Sequence, residues 1–233
     1  MKITDLKCAV IGQNPVVRIV TDEGISGYGE AEASKPYLKP HVMFYRDLIL
    51  GKDPTDVERV MLGIRRMGGF KPWGSAVSAI EMALWDIAGK AAGVPVYKLL
   101  GGKIRDKVRV YNTAAPFPMK DSSPEAYADN VLQTKNMEEG FTIIKRGIGF
   151  HSQMPHDVPD FFYGDAATGG AHPNRGLMTE KGLKHIIACA EAMKEVLGDE
   201  VGLALDCGPG MMVPDALRLA KAVEPLNLMW LED

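Results

Sequence analysis

The chain has 233 residues, 46% hydrophobic and 24% charged, with a formal net charge of -3, which is enough apolar material for one large or two modest cores. Charges of both signs are interspersed without a basic stripe, which argues against a nucleic-acid partner. No apolar run approaches the roughly 18 residues of a membrane helix, and Met1-Lys2-Ile3-Thr4-Asp5 lacks a signal-peptide apolar region, so a soluble cytoplasmic protein with no membrane partner is expected.

In chain order, Val16 to Thr21 reads as a strand, Asp22-Glu23-Gly24 as a turn and Ile25 to Glu30 as the returning strand of an antiparallel sheet. Thr55-Asp56-Val57-Glu58 has the spacing of a capping box ahead of a helix with Val57, Val60, Met61 and Ile64 on one face. The stretch Gly68 to Gly74 reads as a loop; its Trp73 is a candidate pocket-lining residue, with simple apolar packing as the equal alternative. A second helix places Val77, Ile80, Leu84, Ile87 and Ala91 on one stripe and ends at Gly93, with Pro95 just beyond.

From about Lys107 the pattern changes to short apolar strands alternating with amphipathic helices. The strands are Val108 to Asn112, Thr142 to Arg146, Gly202 to Asp206 and Met229 to Glu232. Helices begin at Ser123-Pro124, at Thr179 (with Leu183, Ile187, Ala190, Met193 and Leu197 inward) and at Pro214. Repeated strand-helix units predict an α/β fold with a parallel sheet or barrel, and divide the chain into domains 1-106 and 107-233.

Polar residues close these strands: Lys145-Arg146, Asp206 and Glu232. In a barrel those ends form the rim where catalytic groups converge, and two neighbouring carboxylates there repel unless a cation holds them. The segment Gly147 to Met178 is far longer than the roughly 2 to 6 residues usual between strand and helix, which suggests a lid or substrate loop. Within it His151 and Tyr163, together with Arg146, are candidate substrate contacts, although loop hydrogen bonding, packing and surface charge account for them as well. Cys8, Cys189 and Cys207 are widely spaced and odd in number, so reduced thiols are expected.

The run Ala76 to Lys90 followed by Pro95 to Gly102 resembles the signature of the mandelate racemase and muconate lactonizing enzyme family of the enolase superfamily. Gly24-Ile25-Ser26-Gly27-Tyr28-Gly29-Glu30-Ala31 is similar to its N-terminal hairpin, and Leu205-Asp206 and Trp230-Leu231-Glu232-Asp233 to its first two metal-ligand segments. The resemblance implies an N-terminal α+β capping domain over a modified TIM-type (β/α) barrel, of which about four strands are present. It implies Mg²⁺ held by strand-end carboxylates, here Asp206 and Glu232, and a homo-oligomer. The third ligand would end the next strand, so a truncated record, a proteolysed product or completion by a second polypeptide is expected.

Two departures stand out. Many relatives end the second barrel strand with Lys-x-Lys, where this chain has Lys145-Arg146-Gly147; many have Asp-x-Asn, or in some sugar-acid dehydratases Asp-x-His, after the third, where it has Asp206-Cys207-Gly208. A proton α to a carboxylate is too weakly acidic to leave without a cation that stabilises the enediolate, which assigns catalytic weight to Mg²⁺ and Lys145. Dehydration of a sugar acid to a 2-keto-3-deoxy acid is the preferred outcome. A racemase or epimerase sharing the intermediate, and a non-catalytic sugar-acid-binding or assembly scaffold, are the alternatives.

Overall fold

The computed structural model describes residues 1-68, 74-164, 177-208 and 210-232. Trp73, with most of its loop, and the stretch carrying Asp165, His172 and Arg175 lie outside the described residues. The chain forms two compact units, Met1–Asp106 and Lys107–Asp233. No described helix is long and apolar enough to cross a membrane.

In the first unit, β1 (Ile3–Ile11), β2 (Asn14–Thr21) and β3 (Ser26–Glu30) form an antiparallel sheet in that order. The sequence reading identified the second and third strands and missed the first. Alternation decides the sheet's buried face: Leu6 and Cys8, and Val17 and Ile19, point inward while Lys7 and Arg18 between them are exposed. Helices α1 (Leu38–Phe44), α2 (Arg46–Ile49), α3 (Val57–Gly68), α4 (Gly74–Ala92) and α5 (Val96–Leu99) complete the unit.

The expected capping box at the start of α3 is not formed as read: the Thr55 hydroxyl donates to Asp53 Oδ1 at 2.6 Å. Helix α4 ends at Gly93 as expected. The Val94 amide donates to the Gly89 carbonyl and the Gly93 amide to that of Lys90, which is the Schellman pair. Its inward stripe closes on Ala88 and Gly89, while Ala91 is exposed. The buried face is rich in alanine (Ala76, Ala79, Ala83) because β3 lies directly on it. The contact is fastened by the Tyr28 amide donating to Asp86 Oδ2 at 2.9 Å and by Lys90 Nζ donating to the Ser26 carbonyl at 2.8 Å.

The second unit comprises α6 (Pro124–Lys135), β4 (Ile143–Gly147), α7 (Met154–Asp157), α8 (Glu180–Leu197), β5 (Gly202–Asp206), α9 (Val213–Val223) and β6 (Leu231–Glu232). The three strands form a parallel sheet in the order β4-β5-β6, and no barrel closes among the described residues. The expected strand at Val108 to Asn112 contracts to one parallel bridge between Asn112 and Ile144. Val108 and Val110 are 71% and 62% exposed: nothing described covers them, and parallel strands persist only where both faces are packed.

The serine- and threonine-led helices begin where expected, and both starts are capped by those side chains. Ser123 Oγ accepts from the Ala126 amide, and Thr179 Oγ1 from the Gly182 amide at 3.0 Å. Ile186 and Cys189 are buried on α8 beside Leu183, Ala190, Met193 and Leu197, whereas the expected Ile187 is half-buried. Thr179 also donates to the Asp160 carbonyl at 2.5 Å, so it ties the start of α8 to the long segment before it. Thr179→Ala is expected to cost about 1 kcal/mol, read as lost amide-exchange protection at Gly182 and Leu183; unchanged protection would show the cap to be dispensable.

Candidate active site

The parallel register places three charged strand-end residues side by side. Gly147 pairs with Asp206 and Asp206 with Glu232, so the two carboxylates stand on neighbouring strands at the same level. Lys145, two residues before Gly147, has its side chain on the same face as Gly147 by strand alternation and reaches across both. Its Nζ donates to Asp206 Oδ2 at 2.8 Å and to Glu232 Oε1 at 2.9 Å.

Lys145 and Asp206 have side chains only 11% and 6% exposed, so neither charge could stand there unpaired. Burial disfavours the Lys145 ammonium, but hydrogen bonds and charge from Asp206 and Glu232 outweigh it and raise its pKa above the ordinary lysine value. Burial likewise disfavours ionised Asp206, and here Lys145 and His151 prevail and lower its pKa. Glu232 is lowered chiefly by Lys145 and then by the Trp230 indole, whose Nε1 donates to Oε2 at 3.0 Å. The triad is therefore one ammonium between two carboxylates, an arrangement suited to charge neutralisation.

His151 joins the cluster from the turn after β4, with Nδ1 2.7 Å from Asp206 Oδ1. Tyr111 and Trp230, which the sequence reading did not single out, frame the ammonium. The Tyr111 ring centroid lies 5.6 Å from Lys145 Nζ and 5.3 Å from the Trp230 ring in an edge-on arrangement. The available signal was position: Trp230 stands two residues before Glu232, and Tyr111 next to the bridge at Asn112.

Arg146 does not join the site. As the neighbour of Lys145 on a strand it points to the other face, where its guanidinium packs over the Tyr127 ring at 5.6 Å and against Met119. Its Nε is buried without a partner, and burial lowers its pKa. Tyr163 is 61% exposed at the base of the long segment, where its amide donates to the Leu177 carbonyl, and it makes no described contact with the cluster.

The chemistry of the donors tests whether a cation fits. Asp206 and Glu232 offer hard carboxylate oxygens, and an ammonium already bridges one oxygen of each, marking where the pair requires positive charge. Mg²⁺ is commonly held by one or two carboxylates with water and substrate completing the shell, so the pair fits that ion. Among the described residues no group of three or more His, Cys, Asp and Glu is placed to hold a metal.

Comparison with known proteins is consistent along the whole chain. Residues 9-101 match the family model of the mandelate racemase/muconate lactonizing enzyme N-terminal domain, and residues 128-233 the enolase C-terminal domain-like model. The chain is 32% identical over 228 residues to a D-galactonate dehydratase family member of Pseudarthrobacter chlorophenolicus, covering 93% of this chain and 55% of that protein. It is 34% identical over 247 residues to a D-mannonate dehydratase of Caulobacter sp. strain K31, covering 100% and 59%. A solved enolase-superfamily member from Salmonella Typhimurium superposes with a TM-score of 0.81 at 27% identity, covering 99% of this chain and 60% of that one. The chain thus spans a little over half the length of the relatives it matches.

Proposed function

The chain belongs to the mandelate racemase/muconate lactonizing enzyme family of the enolase superfamily, and on that footing we propose that the complete protein is a Mg²⁺-dependent lyase that dehydrates a sugar acid to a 2-keto-3-deoxy acid. The observation that carries the reading is the pair Asp206 and Glu232, in register on adjacent strands and bridged by Lys145. The substrate class rests on relatives named for galactonate and mannonate dehydration.

In this reading Asp206 and Glu232 would hold the Mg²⁺, which when bound supplies positive charge where a substrate carboxylate gains electron density. Lys145, kept as an ammonium, turns part of its charge toward the same carboxylate and orients it. Trp230 steadies the Glu232 carboxylate through Oε2 and leaves Oε1 toward Lys145. Racemisation would need bases on both faces of the α-carbon. Position 147 is glycine and Arg146 is turned away, so β4 offers the site one cation and no second basic side chain.

The test is a panel of sugar acids presented to the complete protein with Mg²⁺, followed by detection of 2-keto products. Turnover that falls to background with EDTA and returns on adding Mg²⁺ is the expected result. Sugar-acid binding without turnover under any divalent ion would sink the lyase reading in favour of a binding scaffold. Turnover that is indifferent to EDTA would remove Mg²⁺ from it.

A further inference from the structure

We infer that His151 is the positioning residue of Asp206: it occupies the space that side chains at 147 and 208 would fill, and it determines which oxygen of Asp206 is left for a cation. The inference rests on the reading that Asp206 and Glu232 hold a divalent ion.

Two glycines make the room. A Cβ on Gly147 would lie 2.6 Å from the His151 carbonyl oxygen. One on Gly208 would lie 3.0 Å from the His151 amide nitrogen and 3.1 Å from its Cβ, at a backbone φ of +73° that side chains rarely adopt. The His151 amide is shared between the Ile148 carbonyl at 3.1 Å and the Cys207 carbonyl at 3.2 Å, so its backbone is pinned between the ends of β4 and β5. The two departures from the family pattern at 147 and 208 therefore meet at one place: both positions give way to the backbone and Cβ of residue 151, which set the His151 side chain beside Asp206.

The hydrogen bonds of Asp206 supply the consequence. Oδ1 accepts from His151 Nδ1 at 2.7 Å and from the Gly208 amide at 3.2 Å, which uses both of its acceptor directions. Among the described residues, Oδ2 accepts only from Lys145. A carboxylate only accepts, so His151 Nδ1 carries the proton, and Oδ2 is the oxygen presented to a cation. Groups that orient a metal-binding carboxylate in this way typically contribute about 10 to 100-fold to metal affinity.

The experiment measures Mn²⁺ affinity of the full-length protein by calorimetry for the unaltered chain, His151→Ala and His151→Asn. The asparagine amide can donate from nearly the position of Nδ1. The His151 side chain is 60% exposed, so the fold should survive either change, and thermal melting checks it. His151→Ala is expected to weaken Mn²⁺ binding about 10 to 100-fold, with His151→Asn restoring most of the loss. An alanine variant that binds as tightly as the unaltered chain, or an asparagine variant as weak as alanine, would overturn the inference while leaving the metal site intact. If the unaltered protein binds no Mn²⁺, the metal reading fails, and the inference with it.

Discussion

If the complete protein is the proposed lyase, Lys145→Met is expected to lower its turnover by about 10³-fold, comparable to removing one well-placed donor from a transition-state site. The ammonium is 2.8 and 2.9 Å from two carboxylates and nearly out of water, so methionine leaves negative charge facing negative charge. Mg²⁺ affinity should be retained, because Asp206 and Glu232 remain and lose a competing cation. The two readouts separate roles: lost turnover with retained binding assigns Lys145 to the substrate, whereas loss of both would mean that it mainly holds the two carboxylates in place. Turnover within about tenfold of the parent would remove Lys145 from the chemistry.

Gly27→Ala should be the most damaging single-methyl change in the first unit. A Cβ there would fall 1.9 Å from the Ala83 carbonyl oxygen and 2.7 Å from Ile87, and neither backbone nor buried side chain can retreat without moving β3 off α4. Gly29 repeats the contact one step along the strand, 2.0 Å from the Ala79 carbonyl. Overpacking of this kind costs about 3 kcal/mol or more, which for a unit of this size lowers Tm by roughly 15 °C. Thermal unfolding followed by circular dichroism measures it; a melting point within about 2 °C of the parent would show that strand and helix separate easily.

Helix ends and buried faces were legible because they follow from nearest-neighbour chemistry. Ser123 and Thr179 cap whatever helix follows them, and the spacing of Leu183, Ala190, Met193 and Leu197 describes one face of it. The glycines of Gly27-Tyr28-Gly29 were visible as part of a motif, but their reason was not. It lies in the closeness of α4, some 50 residues away in sequence.

At the site, strand-end positions in the sequence drew attention to Lys145, Asp206 and Glu232, and the family resemblance, not residue type alone, assigned the two carboxylates to a metal. Which of Lys145 and Arg146 faces the carboxylates was decided by strand alternation within a sheet whose register only folding fixes: one joins the triad and its neighbour lies half-buried over Tyr127. The contact of His151 with Asp206, 55 positions later in sequence, was likewise beyond any local pattern. It depends on the end of β4 meeting the end of β5 and on two glycines yielding the space, a matter of packing between segments that the chain brings together only in three dimensions.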